Sequence, residues 1–349
     1  MRTNITGKIS ASTSPDALNM LKAYQGYHPG QIVRVFLPVL LFWLPAFLLP
    51  ETFPQRITFV TAPATPYLEP LTHLRGSLPA LLAFVLWLIT GYLLVALNHR
   101  YLFLRTRTLL PLFFFLTLTS PLAGLAEINN LTLTLPFLVI ILHLVFRTYR
   151  NNKRDFSFFM AAFWTGVVSL VSLKSSAFMV VIWIALLSLR PFYIREWLAS
   201  FLGFLTPWFL YFGVGFLLDN DPAMLFQQAL AGFSAEWQAY QPGTAALIFL
   251  LYLAVLILAA SVFTFLSLST MKTRSRKFNM IFFWTALLTI LLMLQFRSCW
   301  ISFFTFLAIP LSFLFAFYFA SEKANLWKRI LFDLYFAGFV ALFVVGMVG

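Results

Sequence analysis

Charge is what this chain has least of. Only 10% of its 349 residues are Asp, Glu, Lys or Arg, and just 11 of those are acidic, where a soluble domain carries roughly a quarter charged residues. A chain so poor in charge cannot cover a water-facing surface. Cysteine is nearly absent too. The single Cys299 excludes an internal disulfide and any multi-cysteine metal or redox motif. No Gly-rich dinucleotide turn, Walker loop, Ser hydrolase elbow or His-Glu-x-x-His run occurs. There is no internal repeat, no low-complexity tract and no polar stretch long enough for a soluble domain. His143 has no second histidine nearby, and His99 sits beside Arg100 in a basic segment, so neither starts a metal site.

Apolar residues make up 61% of the sequence, with 43 Phe, 10 Trp and 12 Tyr. The stretch from Arg190 to Asp221 states their arrangement in one unit. A cationic, aromatic collar (Arg190, Tyr193, Arg195, Trp197) leads into about twenty apolar residues, which end in acidic residues at a Pro-marked turn. Similar runs fall at 33–50, 79–97, 107–124, 131–147, 157–173, 175–190, 198–218, 244–270, 278–296, 299–320 and 330–348. The expectation is an all-α, polytopic membrane protein of about eleven transmembrane helices. Residues 1–32 form a polar cytosolic segment with no evident secretory signal, and 33–349 form one membrane domain. The third to sixth runs are short for a hydrocarbon core of ~30 Å. The fifth and sixth are separated only by Lys174-Ser175-Ser176, which fits either a full hairpin or a re-entrant pair.

The net charge of +13 is spread between the apolar runs rather than along one stripe, so topology accounts for it and nucleic acid does not. With the N-terminus inside, Arg56, Arg75, Lys174 and Arg297 are external, and the other twenty of the 24 Lys and Arg are cytosolic. Such a bias orients the chain with its N-terminus inside and C-terminus outside.

Two external loops are long. Residues 51–78 are rich in proline and predict irregular structure or one short helix. Residues 219–243 place Phe226, Leu230, Phe233, Trp237 and Tyr240 at steps of four and three. That spacing predicts an amphipathic helix on the outer membrane surface, or roofing a cavity.

RTRTLLPLFFFLTLTSP (105–121), WTGVVSLVSLKSSAFMVVIWIALLSLRPF (164–192) and IREWLASFLGFLTPWFLYF (194–212) resemble an uncharacterised family of bacterial integral membrane proteins, domain-of-unknown-function family 6427. The RPF-x-x-REW collar is the most specific part. The resemblance covers about a third of the chain, from Arg105 to Asp219. It implies a bacterial inner (cytoplasmic) membrane setting and brings no catalytic residues with it.

The overall plan also resembles the membrane module of GT-C-type polyprenyl-phosphate-sugar glycosyltransferases. Those enzymes place an acid in the first external loop, so the resemblance makes Glu51 and Glu69 candidate catalytic carboxylates. Either could accept a proton from an acceptor hydroxyl or help hold a divalent cation. The family usually has an Asp there, often paired, and this chain has neither; both residues also read as interfacial glutamates in water. Arg297 and Lys174 are candidates for gripping a lipid phosphate, or for snorkelling to headgroups. Asp219 and Asp221 offer clustered oxygens, although Asp221-Pro222 equally reads as a helix cap with proline at the first position. Asp333, near Lys328 and Arg329, reads as a local ion pair. Three functions fit: a lipid-carrier-binding protein of the GT-C kind, a non-catalytic envelope scaffold with a protein partner, and a lipid or small-molecule transporter. The third lacks acids within its spans and paired broken helices.

Overall fold

The computed structural model describes residues 29–48, 56–59, 62–104, 108–120, 127–149, 156–190, 193–219, 221–234, 244–297, 300–320 and 326–348. Among them are twelve helices of ten residues or more: α1 (Pro29–Leu48), α2 (Leu78–Tyr101), α3 (Leu110–Thr119), α4 (Leu135–Arg147), α5 (Ser157–Val171), α6 (Phe178–Leu189), α7 (Ile194–Leu217), α8 (Pro222–Ser234), α9 (Thr244–Ser267), α10 (Thr273–Gln295), α11 (Trp300–Ala320) and α12 (Leu326–Val348). Every expected apolar run overlaps one of these helices, and α8 lies in the second long loop. Five helices are long and apolar enough to cross a membrane: α2, α7, α9, α10 and the Phe303–Ala320 part of α11. The protein is a helical membrane protein.

All-α is not quite complete. Arg56–Thr58 (β1) pairs in parallel with Glu127–Asn129 (β2), Arg56 opposite Glu127. A single helical turn, Thr65–Leu68, and a 3-10 helix, Glu69–His73, follow β1, so the described part of the proline-rich loop carries the short helical structure that was one of its two expectations. Its prolines at the first helical positions explain this, since a proline there gives up no hydrogen bond.

The short helices α3 to α6 run 10 to 15 residues, roughly 15–22 Å at helical rise. None reaches across ~30 Å alone. Their irregular ends are tolerated because other helices surround them. In α3 every residue from Leu110 to Thr119 is buried, packed against α11 through Phe114, whose ring lies 5.7 Å from Phe315 and 5.4 Å from Phe319. From α12, Tyr335 reaches the same core, where its hydroxyl and that of Thr117 are 2.6 Å apart.

The Lys174-Ser175-Ser176 break is a hairpin turn. Ser172 is extended, Leu173–Ala177 is a 3-10 helix, and α6 starts at Phe178. At the tip of the hairpin the last carbonyls of α5 would be left without helical donors. Ala64 N–H donates to Leu170 O (3.1 Å) and Asn130 Nδ2 to Val171 O (2.7 Å). At its base, Arg190 ion-pairs with Glu196 in the first turn of α7 and donates to Thr148 O at the end of α4 (3.1 Å). Lys277 donates to Ser188 O near the end of α6 (2.7 Å). The RPF-x-x-REW collar is therefore a knot joining α4, α6 and α7, with cations on helix C-terminal carbonyls.

Candidate functional site

α7 and α5 start at the same end and cross closely. A Cβ on Gly166 would sit 2.6 Å from Phe204 O, and one on Gly203 would strike Phe159 O. Small residues on both helices let the backbones touch, which is how helices associate where lipid removes the hydrophobic drive. One turn on, Trp208 Nε1 donates to Ser169 Oγ (2.8 Å). Beside this crossing, Pro207, Leu210, Tyr211 and Val214 of α7 and Phe163, Val167 and Leu170 of α5 line one open space.

The chain then turns back over this gap. Asp219 takes a left-handed conformation (φ 57°). Asp221 caps α8, its Oδ1 accepting the Ala223 N–H at 2.9 Å, with Pro222 at the first helical position; the cap satisfies a donor that the helix leaves free. Leu225 then nests against Gly215, where any Cβ would collide with its side chain. From the other side come Pro63, Pro66 and Tyr67, held by the Ala64–Leu170 bond. Together these elements line a cavity of about 640 Å³ that is open on one side. Its lining is largely apolar, with Tyr67, Tyr211, Asp221 and Gln228 as the polar groups. A few polar groups in an apolar wall is the usual make-up of a small-molecule site.

The residues singled out from sequence are distributed unevenly around it. Asp221 lines the cavity. Asp219 is exposed at the turn beside it. Lys174 is buried, its ammonium 5.1 Å over the Phe296 ring, and Arg297 follows Phe296 and is exposed. The fold thus seats Lys174 over the ring next to Arg297 in the chain, and neither residue lines the cavity. α8 packs on the 3-10 turn that carries Lys174. Glu69 is exposed on its 3-10 helix and does not line the cavity; Glu51 lies outside the described residues. Among the described residues, no three His, Cys, Asp or Glu side chains gather as metal ligands would. A lone exposed Glu69 does not fit a divalent cation.

Part of the amphipathic segment is described, as α8. The face turned onto the protein carries Leu225 and Ala229, which are buried, whereas Phe226 and Leu230 are exposed. Of the expected stripe, Phe226 and Leu230 thus face away from the protein, as a helix lying on the outer membrane surface would turn them. The Phe233 side chain and residues Trp237 and Tyr240 lie outside the described residues. Tyr67, Tyr211 and Gly215 escaped sequence reasoning. The pair Gly213-x-Gly215 just before the acidic turn was their only signal, and glycine is common in membrane helices. Asp333 pairs with Arg329 at 3.5 Å.

No family model matches this chain, and no curated protein or solved structure is significantly similar to it.

Proposed function

We propose that this is a bacterial inner-membrane protein of eleven spans, N-terminus inside and C-terminus outside, that binds the apolar chain of a polyprenyl-phosphate-type lipid at its outer end. The observation that carries the reading is the largely apolar cavity of about 640 Å³ under α8. It lies among segments poor in Lys and Arg, at the end opposite the Arg190 knot, and such an end faces away from the cytoplasm. An isoprenoid chain suits its walls, and the sparse polar groups at Tyr67, Tyr211 and Gln228 suit the start of a headgroup. Arg297, which follows Phe296 in the chain, and Lys174, whose ammonium lies over the Phe296 ring, supply positive charge for a phosphate at the same end. Sugar transfer from such a carrier, as in the GT-C plan, would need a carboxylate base. Glu69 shares its loop with Tyr67, and Glu51 precedes them in sequence.

A second reading is favoured by one observation. Phe226 and Leu230 of α8 are 56% and 51% exposed, which suits a scaffold that meets an envelope protein through α8.

Native mass spectrometry of the protein, gently extracted from its own membranes, tests the first reading. The expected result is a retained polyprenyl-phosphate species, displaced by cavity-filling Val214→Trp and weakened by Arg297→Ala. Retention of ordinary phospholipid alone overturns it. A bound protein lost on Phe226→Asp would turn the assignment to the scaffold.

A further inference from the structure

At the end opposite the cavity, three helix ends bring arginines to one place. Arg100 is in the last turn of α2, Arg147 ends α4, and Arg274 is in the first turn of α10. They gather around a single phenol. The Arg274 guanidinium stands 5.3 Å over the Tyr101 ring and 5.5 Å over Phe278. Arg100 directly precedes Tyr101 in the chain, and Arg147 directly follows Phe146, whose ring lies 5.8 Å from that of Tyr101. Tyr101 links the helices, its hydroxyl donating to His143 O at 3.0 Å and its ring packing on Phe146 and Phe278. All three arginines are exposed above this buried aromatic floor.

Helix dipoles explain two of the three. Arg100 and Arg147 sit at carboxyl ends, where cations are favoured. Arg274 sits at an amino end, where a cation is disfavoured, with exposed Lys272 and Arg276 on either side and no acid in the turn. Among the described residues, the carboxylates at this end, Glu196 and Asp333, are engaged by Arg190 and Arg329. The cluster thus gathers positive charge from three helices around an anchored guanidinium plane. That is the arrangement which takes a phosphate in a bidentate grip. Leu102 follows Tyr101 with a left-handed backbone (φ 51°) and 44% exposure. An apolar side chain there serves an acyl chain and does nothing for a free ion.

We propose that Arg100, Arg147 and Arg274 form a binding site for the headgroup of an anionic phospholipid in the leaflet at the basic end, with Arg274 fixed by Tyr101 and Phe278. Basic pockets between helices on the cytoplasmic side are suited to such headgroups, cardiolipin-type lipids among them. This site is separate from the cavity and does not depend on what the cavity holds.

The test uses the full chain in nanodiscs of phosphatidylcholine with a minor fraction of cardiolipin, counting retained cardiolipin by native mass spectrometry. Selective retention is expected, weakening about fivefold for each arginine removed, and so about 25-fold in Arg100→Gln/Arg274→Gln. Arg195→Gln, at the same end but outside the cluster, should retain cardiolipin as the wild type does. Equal retention in the double variant overturns the proposal. So does protection by inorganic phosphate alone against heat in phosphatidylcholine discs, which would make this a free-phosphate site. If the double variant does not fold, the wild type still decides: cardiolipin binding that ignores ionic strength is incompatible with a site built on arginines.

Discussion

α11 and α7 are alike as sequence and opposite as structure. Both are apolar helices of more than twenty residues with one internal proline. In α11, 89% of the Phe303–Ala320 window is buried, against 22% of the corresponding window in α7. Hydropathy does not order them. α9, with the highest mean hydropathy at 2.8, is only 28% buried, while α11 stands at 2.0. Lipid tails are as apolar as a protein interior, so the hydrophobic effect does not choose which helix goes to the centre. Shape does. α11 meets neighbours all round, as where Phe313 stacks on Phe282 at 4.5 Å and Phe306 on Phe178 at 5.1 Å. α7 holds on by one stripe of small residues, Ser200, Gly203 and Pro207, and shows phenylalanine and leucine elsewhere.

The largest effect should come from that stripe. Gly203→Leu or Gly166→Leu drives a side chain into a backbone carbonyl that has nowhere to move. A loss of about 3 kcal/mol or more is expected, read as lost folded protein in a detergent thermal-melt assay. Folding unharmed by Gly203→Leu would mean that α7 is not held through this crossing. Next comes the centre. Phe313→Ala in α11 should cost about 3 kcal/mol through the hole it leaves. Phe209→Ala in α7, at a site 77% exposed, should fall within about 0.5 kcal/mol of zero. Equal costs at these two positions would break the contrast between centre and edge.

Smaller effects sharpen the contrast. Tyr335→Phe removes the hydroxyl that meets Thr117, and about 1 kcal/mol is expected with no change at the cavity, checked by the same melt. Asp221→Ala removes the α8 cap at the edge for about 1 kcal/mol. Its signature should be local, as faster amide exchange in α8 with α11 unaltered. Uniform acceleration would show that roof and core unfold together.

The helices were legible where apolar runs met charged or proline-marked ends, because each backbone must satisfy its own hydrogen bonds inside a bilayer. The charge bias along the chain was legible as well, since loop residues need no partner to be counted. The Asp221-Pro222 cap could be read as one of two options because capping is local chemistry. The face of α8 could not. Periodicity singles out Phe226 and Leu230 as an apolar stripe, and the face that packs was settled by Gly215 accepting Leu225 from another helix. Lys174 and Arg297 were each visible as rare cations, but the seating of Lys174 over Phe296 joins segments more than a hundred residues apart.

Local composition therefore carried the membrane class, the helix positions and the distribution of charge, all of which depend on residues near in sequence. Which helix became the core, where the cavity opened and which arginines converged on Tyr101 depended on contacts between distant segments. Those contacts follow from side-chain shape and close backbone approach, and a hydropathy pattern is blind to both because lipid and protein interior are equally apolar.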